Sequence, residues 1–573
     1  MTPSSPRKQT RLHRAALAST ALLVLALAGC SDSDDDFDTS TQIGADPALP
    51  EPSQSLVPDL KVAPVVGWSE DETPTAANGF TVTAYARDLS NPRTVHTLPN
   101  GDVLVVQSKA PPGKPVERPK DIIRGFIMSI ASGGGGSEPK PTNLITLLRD
   151  SDRDGTVDER HDLLKDLNSP FGLAFADDTL YVAAADAVLA YDYRLGQNEI
   201  TTPPRIVSPL PGGPINHHWT KDLALSPDGR FLYASVGSNS NAGERGLEAE
   251  KGRAAIWQID RESGASRIYA SGLRNPNGLT FNPESGALWT VVNERDELGP
   301  NLVPDYMTSV KDRAFYGWPW SYYGQHVDPR LHPPRPDMVE QAIKPDYALS
   351  SHVAALGLTF SYGMGMPGPY ANGAFVGNRG SWNRDHFNGY KVLFVPFENG
   401  KPSGKPQDIL TGFLNGEEEA RGRPVGLGFD GTGALLVADD AGNTVWRVTA
   451  DGATPPAEPI GTDQMPQGSP AANAQQTPAP ASSDGTDTAA PLTDVQPAPD
   501  GAPAGTSGNT PGATAPAEDP AVAPTPAPPV DPGNGTLAPP STTPPQTDVP
   551  ATEPEGAVQD AQPTAPPSNP ATP

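Results

Sequence analysis

Residues 423–448 read RPVGLGFDGTGALLVADDAGNTVWRV. Apolar residues alternate with others through the second half of this stretch, the period of half-buried strands. Between its first two apolar runs stands Asp430-Gly-Thr-Gly, which supplies the positive φ that a tight hairpin needs. The same phrase recurs along the chain as NPRTVHTLPNGDVLVVQSK (91–109), SPFGLAFADDTLYVAAADAVLAYDY (169–193), KDLALSPDGRFLYASVGSNSN (221–241) with AAIWQID (254–260), and RNPNGLTFNPESGALWTVVNERDELG (274–299). A degenerate copy lies in AALGLTFSYG, GAFVGNRGSWNR and GYKVLFVPF. No long stretch keeps a helical period. Six copies across the body give about 60 residues each, which suits four-stranded blades with long loops. The expected fold class is all-β, a six-bladed β-propeller over residues 79–450. An open solenoid fits less well, because the first and last copies look like full units and not polar caps.

The flanks differ in composition. Fourteen of the 68 acidic residues lie between Asp451 and Pro573, with no Lys, Arg or aromatic residue among them, so the tail carries −14 of the formal −27. Rich in Pro, Ala and Thr, it cannot bury enough apolar surface to offset chain entropy, and residues 451–573 are expected to be disordered. Neither the tail nor the body is basic, which argues against nucleic acid as partner. At the other end Arg7, Lys8, Arg11 and Arg14 precede AALASTALLVLALAGC, the pattern of an export signal over 1–30. The run is too short for a comfortable membrane span. It ends in Leu-Ala-Gly-Cys, which resembles the lipobox of bacterial lipoproteins; a plain secretory signal is the alternative. Cys30 is the only cysteine, so the body has neither disulfide nor thiol chemistry. The resemblance implies diacylation of Cys30 and a lipid-anchored protein in the cell envelope, with Ser31 leaning towards the periplasmic face of the outer membrane. SDSDDDFDTS then opens an expected acidic, flexible tether over 31–78.

Four clusters do not look like scaffold. Asn216-His217-His218-Trp219-Thr220-Lys221 and Arg274-Asn275 each stand before a blade's first strand, as does Arg421-Gly422-Arg423. Glu294-Arg295-Asp296-Glu297-Leu298-Gly299 leads into a long aromatic loop containing Trp318, Trp320, Tyr322 and Tyr323, which suit either sugar stacking or packing between blades. Residues at equivalent strand starts of a propeller converge on the channel mouth, so His218, Arg274 and Arg423 should face one another. Two guanidinium forks there suit a planar polyanion. Elsewhere, Asp150, Asp152, Asp154 and Asp158, with Gly155 between, are spaced like an EF-hand-type calcium loop, but position twelve is His161. The choice stays open between a calcium-stapled loop and a solvated acidic turn.

GLRNPNGLTFNP (272–283), NERDELGPNLVPDYMTSV with FYGWPWSYYG (293–324), and GSWNR (380–384) carry a resemblance to the bacterial glucose/sorbosone dehydrogenases, on the sorbosone side of that family. These are six-bladed propellers that use pyrroloquinoline quinone (PQQ) and calcium. The resemblance implies oxidation of an aldose or sugar aldehyde to lactone or acid, with electrons leaving to a quinone or cytochrome. It implies His218 as general base, His217 being the competing assignment. Arg274, Asn275, Arg421, Arg423, Asn168 and Arg384 would bind PQQ. Glu294 and Asp296 would help seat Ca²⁺, partly through backbone carbonyls. Ser238 stands where glucose dehydrogenases of the family carry an Asp against the catalytic histidine. A serine can fix a tautomer but cannot stabilise imidazolium as a carboxylate does. Two rivals remain: a ligand-binding propeller without enzymatic activity, and a six-bladed sugar lactonase, which would want a cage of carboxylate and Asn around its metal.

Overall fold

The computed structural model describes residues 37–54, 61–111 and 142–454. Over these the chain is a closed ring of six antiparallel blades. Blade 1 holds the strands Pro92–Thr97, Val103–Gln107, Leu144–Arg149 and Glu159–Leu164. Blade 2 follows with Leu173–Ala176, Thr179–Ala183, Ala187–Asp192 and Arg205–Pro209, and blade 3 with Leu223–Leu225, Phe231–Val236, Ala255–Asp260 and Ser266–Ser271. Blade 4 takes Pro276–Phe281, Leu288–Val292, Pro304–Ser309 and Tyr347–Ser351, and blade 5 takes Ala355–Phe360, Gly373–Asn378, Lys391–Glu398 and Gln407–Thr411. Blade 6 combines Pro424–Phe429, Leu435–Asp439 and Thr444–Ala450 with Phe80–Ala86, whose Phe80 pairs with Ala450 and Val82 with Val448. The first strands of consecutive blades touch around the whole ring. Each of the six repeat copies is the inner part of one blade.

The Gly-Leu pair of the repeat explains the ring's closeness. A Cβ on Gly172, Gly278, Gly357 or Gly426 would overlap the backbone of the next blade, at Leu223 N, Leu358 N, Val425 O and Arg93 O respectively. Only glycine permits that approach. In blade 3 the position holds Asp222, which uses the same seam differently: its Oδ2 accepts from Leu279 N at 2.8 Å. Apolar clusters fill the spaces between neighbouring blades. Tyr181, Val188 and Val207 of blade 2 pack on Leu223, Leu232 and Ile259 of blade 3. Trp289 of blade 4 meets Phe397 of blade 5 edge-on at 5.1 Å.

The segment expected as a flexible tether behaves differently where it is described. Gln42 is fully buried, Ile43–Gly44 pairs with the outer strand of blade 4, and Thr75–Ala76 pairs with the outer strand of blade 5. Between these, Ala63 is buried in the core and the Trp68 Nε1 donates to Asp439 Oδ2 at 2.7 Å. Residues 37–54 and 61–78 therefore form a strap on the propeller. The physical reason is compositional: the acid run ends near Asp38, and Ile43, Leu49, Val65 and Trp68 beyond it are apolar groups that pack. Cys30, the signal segment and the tail beyond Thr454 lie outside the described residues.

Candidate active site

Strand alternation decides which loops share a rim. First strands all start at one rim, so the connections into them, and those from second to third strands, lie together there. His218, Arg274–Asn275, His352 and Arg423 come from the first set; Ser238–Asn241, Glu294–Asp296, Arg379–Arg384 and Asp440 come from the second. The loop 150–158 joins a third strand to a fourth and sits at the opposite rim.

On the blade 3–4 side, His218 Nδ1 lies 2.8 Å from Ser238 O and 3.0 Å from Ser238 Oγ. A carbonyl oxygen can only accept, so Nδ1 carries the proton and neutral His218 presents Nε2 as the basic nitrogen. Ser238 Oγ in turn donates to Ser240 O at 2.7 Å. His217 is exposed and meets the His218 ring edge-on at 4.9 Å. Beneath the pair, buried Lys221 donates to Trp219 O at 3.1 Å and to His218 O at 3.4 Å, and burial drives its ammonium well below the ordinary lysine range. A Cβ at Gly237 would collide with Asn275 Oδ1 and stand 2.5 Å from His218 Cβ, so this glycine lets His218 and Asn275 meet. Asn275 is buried and its Oδ1 has no donor.

Arg274 is nearly spent on the protein itself. It donates to Glu294 O at 2.6 Å, to Asn241 Oδ1 at 2.9 Å and to Asp296 Oδ2 at 3.3 Å. Asn241, Asp296, Asn383 and His352 continue this network: Asn383 Nδ2 donates to Asp296 Oδ1 at 2.7 Å and stands 3.1 Å from His352 Nδ1. The expected calcium seat does not fit these oxygens. Glu294 Oε2 pairs with Arg295 Nε at 3.0 Å, and Asp296 O accepts from Arg330 Nη1 at 2.7 Å. Arg295 of the loop itself and Arg274 from the blade entry thus neutralise the carboxylates of Glu294 and Asp296, and Arg330 takes a backbone carbonyl, so these groups form no cage for a cation. Asp150, Asp152 and Asp158 do bring three carboxylate oxygens within 4.8 Å of one another, without Asp154, and at the far rim. Trp318, Trp320, Tyr322 and Tyr323 are all buried, and Trp318 Nε1 donates to Asn241 O at 3.0 Å, so these rings pack against the protein itself.

The blade 5–6–1 side is different. Arg93 Nη1 and Arg379 Nε both bind Asp440 Oδ2 at 2.8 Å. Arg423 is buried beside them, its guanidinium 5.2 Å from the centre of the Tyr390 ring and its Nη2 3.5 Å from Ala63 O of the strap. Burial opposes the Asp440 charge, but Arg379 and Arg93 outweigh it and hold the carboxyl below its usual range. Burial, then Arg379, pulls Arg423 down. Two guanidinium groups thus share one ionised carboxylate, Arg423 adds a third cation near Asp440 and Asp439, and the buried Nε of Arg423 and of Arg93 have no acceptor. Arg93 also faces Trp219, next to His218, at 5.7 Å. Of the other sequence candidates, Arg421 turns away to Glu72 of the strap at 3.2 Å. Arg384 is buried and donates to Asn301 Oδ1 at 2.9 Å, and Asn168 is exposed at the entry to blade 2.

The structure adds Arg93, Arg379, Asp440, Asn241, His352 and Asn383 to the mouth. His352 had a visible signal: it precedes AALGLTF as His218 precedes KDLALS.

A family model described as TrAA12-like matches residues 143–309 and 337–451. The chain belongs to this family. A protein of Borreliella burgdorferi described only as uncharacterized is 27% identical over 298 residues, covering 50% of this chain and 77% of that protein. Among solved structures, a Trichoderma reesei enzyme of carbohydrate-active family AA12 aligns with a TM-score of 0.53 at 20% identity, over 68% of this chain and 99% of its own. The PQQ domain of pyranose dehydrogenase from Coprinopsis cinerea aligns with a TM-score of 0.51 at 21% identity, over 68% and 100%. Both share the fold of this TrAA12-like propeller.

Proposed function

We propose that this protein oxidises aldose sugars or sugar aldehydes such as sorbosone, using PQQ held at the channel mouth. The observation that carries the reading is the set Arg93, Arg379 and Arg423 beside the two buried carboxyls of Asp439 and Asp440, with two buried Nε–H groups lacking acceptors. Such a surplus of buried positive charge is costly unless an anion completes it. PQQ is a planar tricarboxylate and suits guanidinium forks. The holo PQQ domain among the similar folds supports the same assignment. When bound, PQQ supplies the two-electron acceptor that the side chains lack.

The chain's own residues divide the remaining work. His218 takes a proton at Nε2 from the anomeric hydroxyl, or from the hydrate of an aldehyde, while its Nδ1–H stays on Ser238. The carbon then gives up its hydrogen with the electron pair, so that a lactone or an acid results. Asn275 Oδ1, buried without a donor, is placed to accept a hydrogen bond from a hydroxyl of the substrate. Arg274, Asn241 and Asp296 keep the loop beside His218 in place. No step is assigned to calcium, because the acids at 294 and 296 are already neutralised by arginines. Electrons would pass on to a quinone or cytochrome, which a protein anchored through Cys30 could reach in the membrane.

The test is to add PQQ, with and without Ca²⁺, to the purified protein and follow dye reduction on aldoses and sorbosone. Reduction that depends on both PQQ and sugar is expected. No reduction with any sugar, together with no quinone absorbance on the protein, defeats the reading. A lactonase is disfavoured by the one acidic triad among the described residues lying at the rim opposite His218.

A further inference from the structure

The groups on His218 Nδ1 are the neutral oxygens of Ser238, yet the same peptide unit runs on to a charge. Ser238 O accepts from His218 Nδ1 at 2.8 Å, and the N–H of that peptide, Asn239 N, donates to Glu250 Oε2 at 2.6 Å. A second path runs parallel to it. Ser238 Oγ lies 3.0 Å from Nδ1 and donates to Ser240 O, while Ser240 Oγ donates to Glu250 Oε1. Glu250 is only 1% exposed and has no part in the chemistry above. Burying a carboxylate is costly unless its partners repay it. Every donor on these two paths points from the imidazole towards that carboxylate, and hydrogen bonds in series polarise one another.

We propose that Glu250 is a positioning residue which, through the Ser238–Asn239 peptide and Ser240, supplies the negative charge that stabilises protonated His218. The inference rests on His218 being the base of the proposed reaction. It answers how a histidine faced by serine accepts a proton: the carboxylate is present one peptide further out. The other charges around the pair set the scale. Arg253 beside Glu250 disfavours a second positive charge on His218, while burial, then Arg253, favours the neutral amine of Lys221 on the same loop. Arg274, whose carbonyl accepts from Ser238 N at 2.8 Å, is balanced by Asp296. His217 adjoins the ring, and Glu244 faces Glu250. Glu250 is thus the anion that offsets Arg253, while Asp186 is the carboxylate that acts on Lys221.

The test needs no cofactor. In the full chain labelled with ¹³C at histidine Cε1, the His218 resonance is assigned by its loss in His218→Gln, and its titration is followed by NMR. Glu250→Gln keeps an acceptor for Asn239 N–H and is expected to lower the His218 midpoint by about half to one pH unit. Ser238→Asp in that background is expected to raise it again. An unchanged midpoint in folded Glu250→Gln overturns the proposal. Should Glu250→Gln fail to fold, the wild-type curve decides. Coupling requires the His218 signal to report a second step as Glu250 protonates, and a single step overturns the proposal. Failure of the dehydrogenase reading would show separately, as wild-type protein that reduces no dye with PQQ and any sugar; turnover that survives His218→Gln would instead remove His218 as the base.

Discussion

The two sides of the channel mouth are built on opposite plans. On the blade 3–4 side nearly every polar group has an internal partner: Arg274 is shared among Asn241, Glu294 and Asp296, and His218 is held by Ser238. On the blade 5–6–1 side Arg93 and Arg379 share Asp440, Arg423 stands near Asp440 and Asp439, and two of the three Nε groups have no acceptor. Full internal pairing fixes side chains in position before a substrate arrives, which is what proton transfer requires. Incomplete pairing stores a binding preference that an anion releases. The same residue type, arginine, therefore serves as strut on one side and as ligand on the other.

The sharpest way to break this division is His218→Gln. If that side handles the proton, turnover falls by about 10²- to 10⁴-fold while quinone absorbance on the protein persists. Next in size, Arg423→Leu should weaken PQQ binding by about 10- to 100-fold, the worth of a charge-assisted hydrogen bond, in an equilibrium titration. Arg421→Leu is the control; it meets Glu72 and should leave the affinity within about threefold. Equal losses in both would erase the distinction between strut and ligand.

Asp440→Asn probes the surplus charge directly. Its carboxyl is held below the ordinary range, so its stabilisation is present at neutral pH and is lost as pH falls through the folded value. The variant should melt lower than wild type at pH 7, with the gap closing in acid, and PQQ should raise its melting temperature by more than it raises the wild type's. The smallest effect is expected on the paired side, at Asp305, which accepts from Glu294 N at 2.8 Å. Burial pushes its pKa up to about 7, so the fold favours the neutral acid and loses stability as pH rises from about 4 through that value. Asp305→Asn stays neutral, and its melting temperature relative to wild type should improve between pH 5 and pH 8.

How much of this could be read in advance depended on whether the cause was local. The six inner blades were legible because a hairpin turn and a Gly-Leu seam are written within about 20 residues. The outer strands, such as Arg205–Pro209, lack that phrase and were implied only by blade size. His218, Arg274 and Arg423 stood out through their common position before a first strand. Arg93 and Arg379 did not, since a single arginine at a strand end reads as a solvated charge. Packing of blade 5 on blade 6 brings Arg379 to Asp440, and ring closure brings Arg93. The acids of NERDELG suggest a metal for the converse reason: Arg274, which pairs with Asp296, and Arg330, which takes the Asp296 carbonyl, are remote from the motif. The strap was hidden by the acid run preceding it.

Closing blade 6 with Phe80–Ala86 sets an order of events during synthesis. That strand is among the first to be made, and its partner Thr444–Ala450 is among the last of the ring. Until then it presents an unpaired edge, the kind of surface that recruits other chains. A chain stopped after Asp440 would hold every residue of the mouth and still lack the pairing that closes the circle. For this protein, the hazard of premature termination is aggregation before it is inactivity.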